Sequence, residues 1–138
     1  MNKIKLVAAV GILQQGERLL AIQRAATVRA PNKWCFPGGG VENSESIEQA
    51  LVRELKEELN LVVVPKKKTW QSVTPWQTEI HWWTVTCDSL RDLNANTNEV
   101  ADLAWLTARE LRTHPDLLES NHQFLDLLLS GEINLDGT

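Results

Sequence analysis

Tyrosine is missing from the 138 residues, methionine occurs once, and phenylalanine and cysteine occur twice each. Cys35 and Cys87 have no metal-ligand spacing and form no disulfide framework, which excludes a cysteine-built metal site and a stapled secreted scaffold. Reduced thiols in a cytoplasmic protein are the expectation. No apolar run approaches the roughly 20 residues a bilayer-crossing helix needs, so no membrane partner is expected. The opening residues start a strand pattern, and Gly11 with Gln14-Gln15 arrives too early for a signal peptide. Positive charge is also scarce: 14 Lys and Arg against 18 Asp and Glu leave a net charge of −4. The one basic run, Lys66-Lys67-Lys68, reads as a solvated turn, which argues against a nucleic-acid polymer and for a small nucleotide as anionic partner. Internal repeats and low-complexity segments are absent.

What is present suits one globular domain over residues 1–138, with 43% hydrophobic and 23% charged residues. Residues 4–13 read as a buried strand, Gln15-Gly16-Glu17 as a turn, and 18–23 as the returning hairpin partner. A loop follows, then a short strand Trp34-Cys35-Phe36 running into Pro37-Gly38-Gly39-Gly40, with Val41-Glu42 as a further extended piece. Ser46-x-x-Gln49 fits a capping box that opens a helix. Ile47, Ala50, Leu51 and Leu55 give that helix an apolar stripe, and Asn60 follows its last turn. Segments 61–64 and 69–73 read as strand broken at Pro65 and the lysines, 78–87 and 101–106 as further strands, and 88–98 as a polar, flexible loop. Residues 108–112 make a helical turn. Residues 119–129 form a terminal helix with Phe124, Leu125, Leu127, Leu128 and Leu129 facing inward.

The most informative pattern spans residues 39–61: Gly39-x5-Glu45-x7-Arg53-Glu54-Leu55-x-Glu57-Glu58-x-Asn60-Leu61. Positions i, i+3 and i+4 share a helix face, so Glu54, Glu57 and Glu58 repel one another there. A hard divalent cation offsets that repulsion and favours carboxylate oxygens together with substrate phosphates. A charged, solvated helix face balanced by Arg53 and Lys56 has the same look, but it does not explain the glycine turn, the Glu45 offset and the Arg-Glu-x-x-Glu-Glu order together.

The pattern resembles the signature box of Nudix hydrolases at every position except Asn60, where the family has glycine. Asn is the next most tolerant residue of the left-handed conformation, so the helix end should survive. Trp34-x-x-Pro37-Gly38-Gly39 and Trp105-Leu106-x3-Glu110-Leu111 also look like family landmarks. The resemblance implies an α/β (α+β) fold, an α/β/α sandwich with a mixed β-sheet between helices. It implies a Mg²⁺ cofactor, with Mn²⁺ as the other option, held by Glu54, Glu57, Glu58 and a carbonyl of Gly39 or Gly38. It makes Arg53 the holder of the carboxylates, lets Glu45 pair with Arg53 or approach the metal, and carries Glu54 or a nearby glutamate as general base. In several family members the base lies outside the box on a loop, and Glu99 is the residue here to watch; its other reading is a solvated carboxylate.

Substrate contacts are less constrained. Arg24 and Arg29 flank the loop before Trp34 and can meet phosphate oxygens through a bidentate fork. One of Trp70, Trp76, Trp82 or Trp83 can stack on a base or ribose. Strand alternation lets only one of Trp82 and Trp83 face a pocket, and Trp83 is taken as the candidate. Asn121 resembles the asparagine that reads a purine edge in MutT-type enzymes, although an asparagine at a helix start is also a natural N-cap. The expected activity is metal-dependent hydrolysis of a nucleoside triphosphate or modified nucleotide to a monophosphate and pyrophosphate. Alternatives are hydrolysis of a linked diphosphate such as ADP-ribose or a nucleotide sugar, and a non-catalytic nucleotide-binding module. A start directly at the first core strand favours the triphosphate reading, and the protein is expected as a monomer or homodimer.

Overall fold

In the computed structural model, which describes residues 3–135, two strands pair at a tight turn. Strand β1 (Leu6–Gln15) and strand β2 (Arg18–Arg24) meet through Gln14 opposite Leu19 and Gln15 opposite Arg18. Beyond this turn β1 leaves β2 and pairs instead with β4 (Gly38–Gly40), Ala9 opposite Gly39. On its other side β1 runs parallel to β6 (Thr78–Thr86), which pairs antiparallel with the edge strand β5 (Val64–Val73). Strand β2 carries β3 (Trp34–Cys35) and β7 (Val100–Thr107), both antiparallel. The sheet is therefore mixed, and its order is β3-β2-β1-β6-β5 with β4 on β1 and β7 on β2.

The period of two along each strand sorts the apolar residues into two cores. One face sets Leu13, Leu20, Ile22, Cys35 and Val85 against Ala50, Leu51, Leu55 and Leu59 of helix α1 (Ile47–Leu59). The other sets Ile12, Leu19, Ala21, Ile80 and Trp82 against Leu111 of α2 (Ala108–Arg112) and Phe124 and Leu125 of α3 (His122–Ser130). Trp82 stacks on Phe124 with ring centroids 4.6 Å apart. The layers are helix, mixed sheet, helix, as expected, and Trp82 and Trp83 fall on opposite faces.

Several expectations are corrected. Strand β5 does not break at Pro65 but runs through it and through the lysines, with register irregularities between Pro65 and Lys67 and between Lys68 and Trp70. An edge strand leaves one row of backbone donors unpaired, so proline and a bulge cost it little. The lysine run is consequently strand, not turn, while Leu61 and Val63 are buried outside any strand. The terminal helix begins with a 3₁₀ turn (Glu119–Asn121) before α3. Leu129 is 43% exposed rather than inward, since Leu127, Leu128 and Leu129 sweep about 100° per residue and cannot all face the sheet.

Candidate active site

Helix α1 is placed by its ends. Ser46 accepts from the Gln49 N–H at 3.1 Å while the Gln49 side chain accepts from the Ser46 N–H at 2.9 Å, a complete capping box. Asn60 closes the helix in the left-handed conformation (φ 56°), its N–H reaching the Leu55 and Lys56 carbonyls. Between these caps the apolar stripe seats α1 on the sheet and turns Glu54 and Glu58 toward strand β4.

Glu54 presses so closely on β4 that a β-carbon at Gly39 would stand 2.5 Å from its carboxylate carbon. Gly38 adopts φ +151°, and a β-carbon there would meet the Ala9 carbonyl oxygen at 2.1 Å. This conformation aims the Gly38 N–H at Glu58 Oε1, 2.9 Å away. Glu58 is 6% exposed. Burial, reinforced by the neighbouring Glu54 charge, pushes its pKa up to about 8 despite that hydrogen bond. Burial also raises the pKa of Glu54, with Arg53 acting in the opposite direction.

Arg53 is the hub behind these carboxylates. It grips Glu45 with a two-pronged contact at 2.6 and 2.8 Å, donates to Glu54 Oε1 at 3.0 Å and to the Gly40 carbonyl at 2.9 Å, and meets Glu57 at 3.4 Å. The Arg53 hydrogen bonds hold the Glu45 carboxyl down at about 2. Of the two options for Glu45, the structure takes the pairing with Arg53.

One cavity gathers Glu54, Glu58 and Glu99 with Arg24, Arg29, Gly38 and Gly39. Glu99 comes from the far end of the 87–99 segment, which is tied to the α1 C-terminus: Asn94 N–H donates to Leu59 O, Asn96 N–H to Glu58 O, and Asn60 Nδ2 to Asp92 O. The Glu99 carbonyl accepts from Ala25 N–H at 3.0 Å, yet the side-chain Oε2 is buried with no hydrogen-bond partner among the described residues. Arg24 Nε donates to the Arg29 carbonyl at 2.6 Å, which holds the loop between them against the cavity. A second, wider cleft of about 510 Å³ shares Arg24, Arg29 and Gly39 with this cavity and extends over Leu6, Ala8, Ile80, Thr74, Trp76 and Ser120.

Other expected site residues lie apart. Glu57 is 49% exposed at its side chain and does not line the acidic cavity. Trp83 packs on the α1-side core with its indole Nε1 buried and unpartnered, and lines neither cavity. Asn121 is buried and caps nothing: its Oδ1 accepts from Phe36 N–H at 3.2 Å and its Nδ2 donates to Ser120 Oγ at 3.2 Å. Trp76, 51% exposed at the β5–β6 turn, is the indole that faces the wide cleft. A tryptophan between Pro75 and Gln77 in a turn belongs to no strand alternation, and that was the available signal for it.

Whether these residues suit a divalent cation turns on charge. The buried Glu58, the partly buried Glu54 and an oxygen of Glu99 that has no partner among the described residues share one cavity, with Arg24 and Arg29 as its cations. Buried charge at this density is stable only when protonated or neutralised, and all the donors are oxygens, which suits Mg²⁺. Among the described residues no three acidic, histidine or cysteine side chains already stand close enough to enclose an ion. In donor type and charge the residues fit such a cation.

Comparison with known proteins agrees with this geometry. The NUDIX domain family model matches residues 4–128. An 8-oxo-dGTP diphosphatase of Escherichia coli (strain K12) is 45% identical over 58 residues, covering 41% of this chain and 45% of that protein. An ADP-ribose pyrophosphatase of Methanocaldococcus jannaschii is 45% identical over 65 residues, covering 46% of this chain and 36% of that protein. The chain thus spans less than half the length of either relative. The crystal structure of a MutT protein from Methanosarcina mazei Go1 superposes with a TM-score of 0.77, covering 92% of this chain and 94% of that one at 18% identity, a likeness of fold. With the family model matching from just before β1 into α3, the chain belongs to the Nudix hydrolase family.

Proposed function

We propose that the protein is a Mg²⁺-dependent pyrophosphohydrolase that cleaves a nucleoside triphosphate or modified nucleotide to a monophosphate and pyrophosphate. The observation that carries this reading is the joining of the acidic cavity to a base-sized cleft through Arg24, Arg29 and Gly39, which line both. Glu54, Glu58 and the Gly39 carbonyl would hold the cation, with Glu57 on the same helix as the further carboxylate of the set. When bound, Mg²⁺ supplies positive charge against the phosphate oxygens. Arg24 and Arg29 clamp the phosphate chain from the opposite wall. Glu99 is the general base: its free Oε2 accepts the proton of the attacking water. Arg53 touches no substrate and keeps Glu54 in one orientation by its grip on Glu45.

The test is a product-resolved hydrolysis panel with Mg²⁺ or Mn²⁺. A monophosphate and pyrophosphate from a triphosphate support the reading, and Glu58→Gln is expected to lower kcat by about 10³-fold. Two monophosphates from a linked diphosphate favour the ADP-ribose alternative, to which the Methanocaldococcus relative points. Absence of turnover by folded protein makes it a binding module.

A further inference from the structure

The loop between Arg24 and Trp34 turns at two left-handed residues, Ala30 (φ 49°) and Asn32 (φ 63°), on either side of Pro31. Asparagine tolerates that conformation; alanine rarely adopts it, and a following proline pushes its predecessor toward extended backbone. Such an outlier persists only where its surroundings over-determine it. Here Arg24 does so from both ends of the turn. Its Nε donates to the Arg29 carbonyl at 2.6 Å, and its own carbonyl accepts from Asn32 N–H at 3.0 Å. Gln23 Nε2 adds a bond to the Asn32 carbonyl at 3.3 Å, and Arg24 N–H one to the Lys33 carbonyl at 2.8 Å. A β-carbon leaves residue 30 few backbone wells, and these bonds select the left-handed one. The two arginines therefore differ. Arg24 spends its Nε on the loop, whereas the Arg29 side chain has no hydrogen-bond or ion-pair partner among the described residues and lines both the acidic cavity and the wide cleft.

We propose that Ala30 is a positioning residue: its strained turn, clamped on Arg24, fixes the peptide that follows Arg29 and so aims the free guanidinium at the phosphate chain. The proposal rests on the phosphate-binding reading above and adds to it the residue that pre-orders the clamp. Glycine at 30 visits φ > 0 without cost and other wells besides, so Ala30→Gly releases the strain and the aim together. Calorimetry with the unhydrolysable α,β-methylene analogues of ATP and GTP, in Mg²⁺, tests this without turnover. Arg29→Ala is expected to weaken binding about thirtyfold through lost charge-assisted bonds to phosphate. Ala30→Gly is expected to weaken it about fivefold, because binding must then order a loose side chain. The same variant melts no lower than the native protein, since the strain is gone. In the double variant the analogues bind no more weakly than to Arg29→Ala alone, because Ala30 acts only through Arg29. The proposal is overturned by native affinity in Ala30→Gly, by a lower melting temperature there, by a loss that persists when Arg29 is already alanine, or by no analogue binding to the native protein. Failure of the pyrophosphohydrolase reading looks different: triphosphates are not hydrolysed while the coupling between Ala30 and Arg29 stands.

Discussion

At the scale of single residues the acidic cavity is a problem of space before it is one of charge. Gly39 has no side chain because the Glu54 carboxylate occupies that volume, its carbon 2.5 Å from where a β-carbon would be. The positive φ in this stretch belongs to Gly38, so alanine at 39 meets no backbone penalty and its whole effect is to push Glu54 aside. Gly39→Ala is therefore expected to lower kcat about a hundredfold, the usual cost of an ångström-scale misplacement, while leaving the melting temperature nearly unchanged. A large loss of stability instead would mean that the glycine serves the sheet rather than the carboxylate. The same crowding explains why the box spacing made Glu54 and Glu58 legible as partners: one helical turn separates them and the stripe beside them faces the core. Glu57 has the right spacing and the wrong bearing, since its side chain remains half exposed beside Arg53.

Helix α1 owes its position to its ends, and the far end also fixes the base candidate. The left-handed Asn60 cap was anticipated from the residue type, but its second duty was not: Nδ2 ties the helix to Asp92 in the segment that leads to Glu99. Replacing Asn60 with alanine keeps the left-handed β-carbon but removes the polar side chain that makes asparagine tolerant of that conformation, and with it the exposed hydrogen bond to Asp92 O. Asn60→Ala is expected to destabilise by about 1–2 kcal/mol in chemical denaturation, while Asn60→Gly stays within about 0.5 kcal/mol of the native protein. Equal losses for both variants would assign the effect to the lost hydrogen bond alone. Strand β5 shows the converse limit. Its proline and lysines look like punctuation in isolation and are tolerated only because pairing leaves this strand at the edge of the sheet.

For the molecule as a whole, opposing carboxylates set the pH range of stability. Glu58 titrates at about 8 when folded against 4.5 ordinarily, so its stabilising contribution is complete below 4.5 and is lost as pH rises to about 8. Glu45 is shifted the other way, to about 2, and its contribution is complete above 4.5 and lost as pH falls toward 2. Metal-free protein should therefore melt at a lower temperature near pH 8 than near pH 5, and Mg²⁺ should restore more stability at the higher pH. In Glu58→Gln the loss between these pH values should shrink; an unchanged profile would remove Glu58 as its source.

Spacing along one segment was enough to find the family resemblance and both ends of helix α1, because these features are local; it named Glu54, Glu57 and Glu58 together, of which Glu54 and Glu58 line the acidic cavity, and the resemblance supplied the role of Arg53. The alternation of strands likewise separated Trp82 from Trp83, since side chains on a strand have only two faces to choose. Convergence of distant segments carried information of another kind. Which tryptophan faces the cleft depends on how the β5–β6 turn lies across from Ser120, and why the Asn121 amide oxygen is taken up by backbone depends on Phe36 being 85 residues earlier in the chain and 3.2 Å away. Glu99 joined Glu54 and Glu58 because three hydrogen bonds hold its segment to the end of α1. No periodicity encodes such meetings; packing of the two cores on one sheet brings them about.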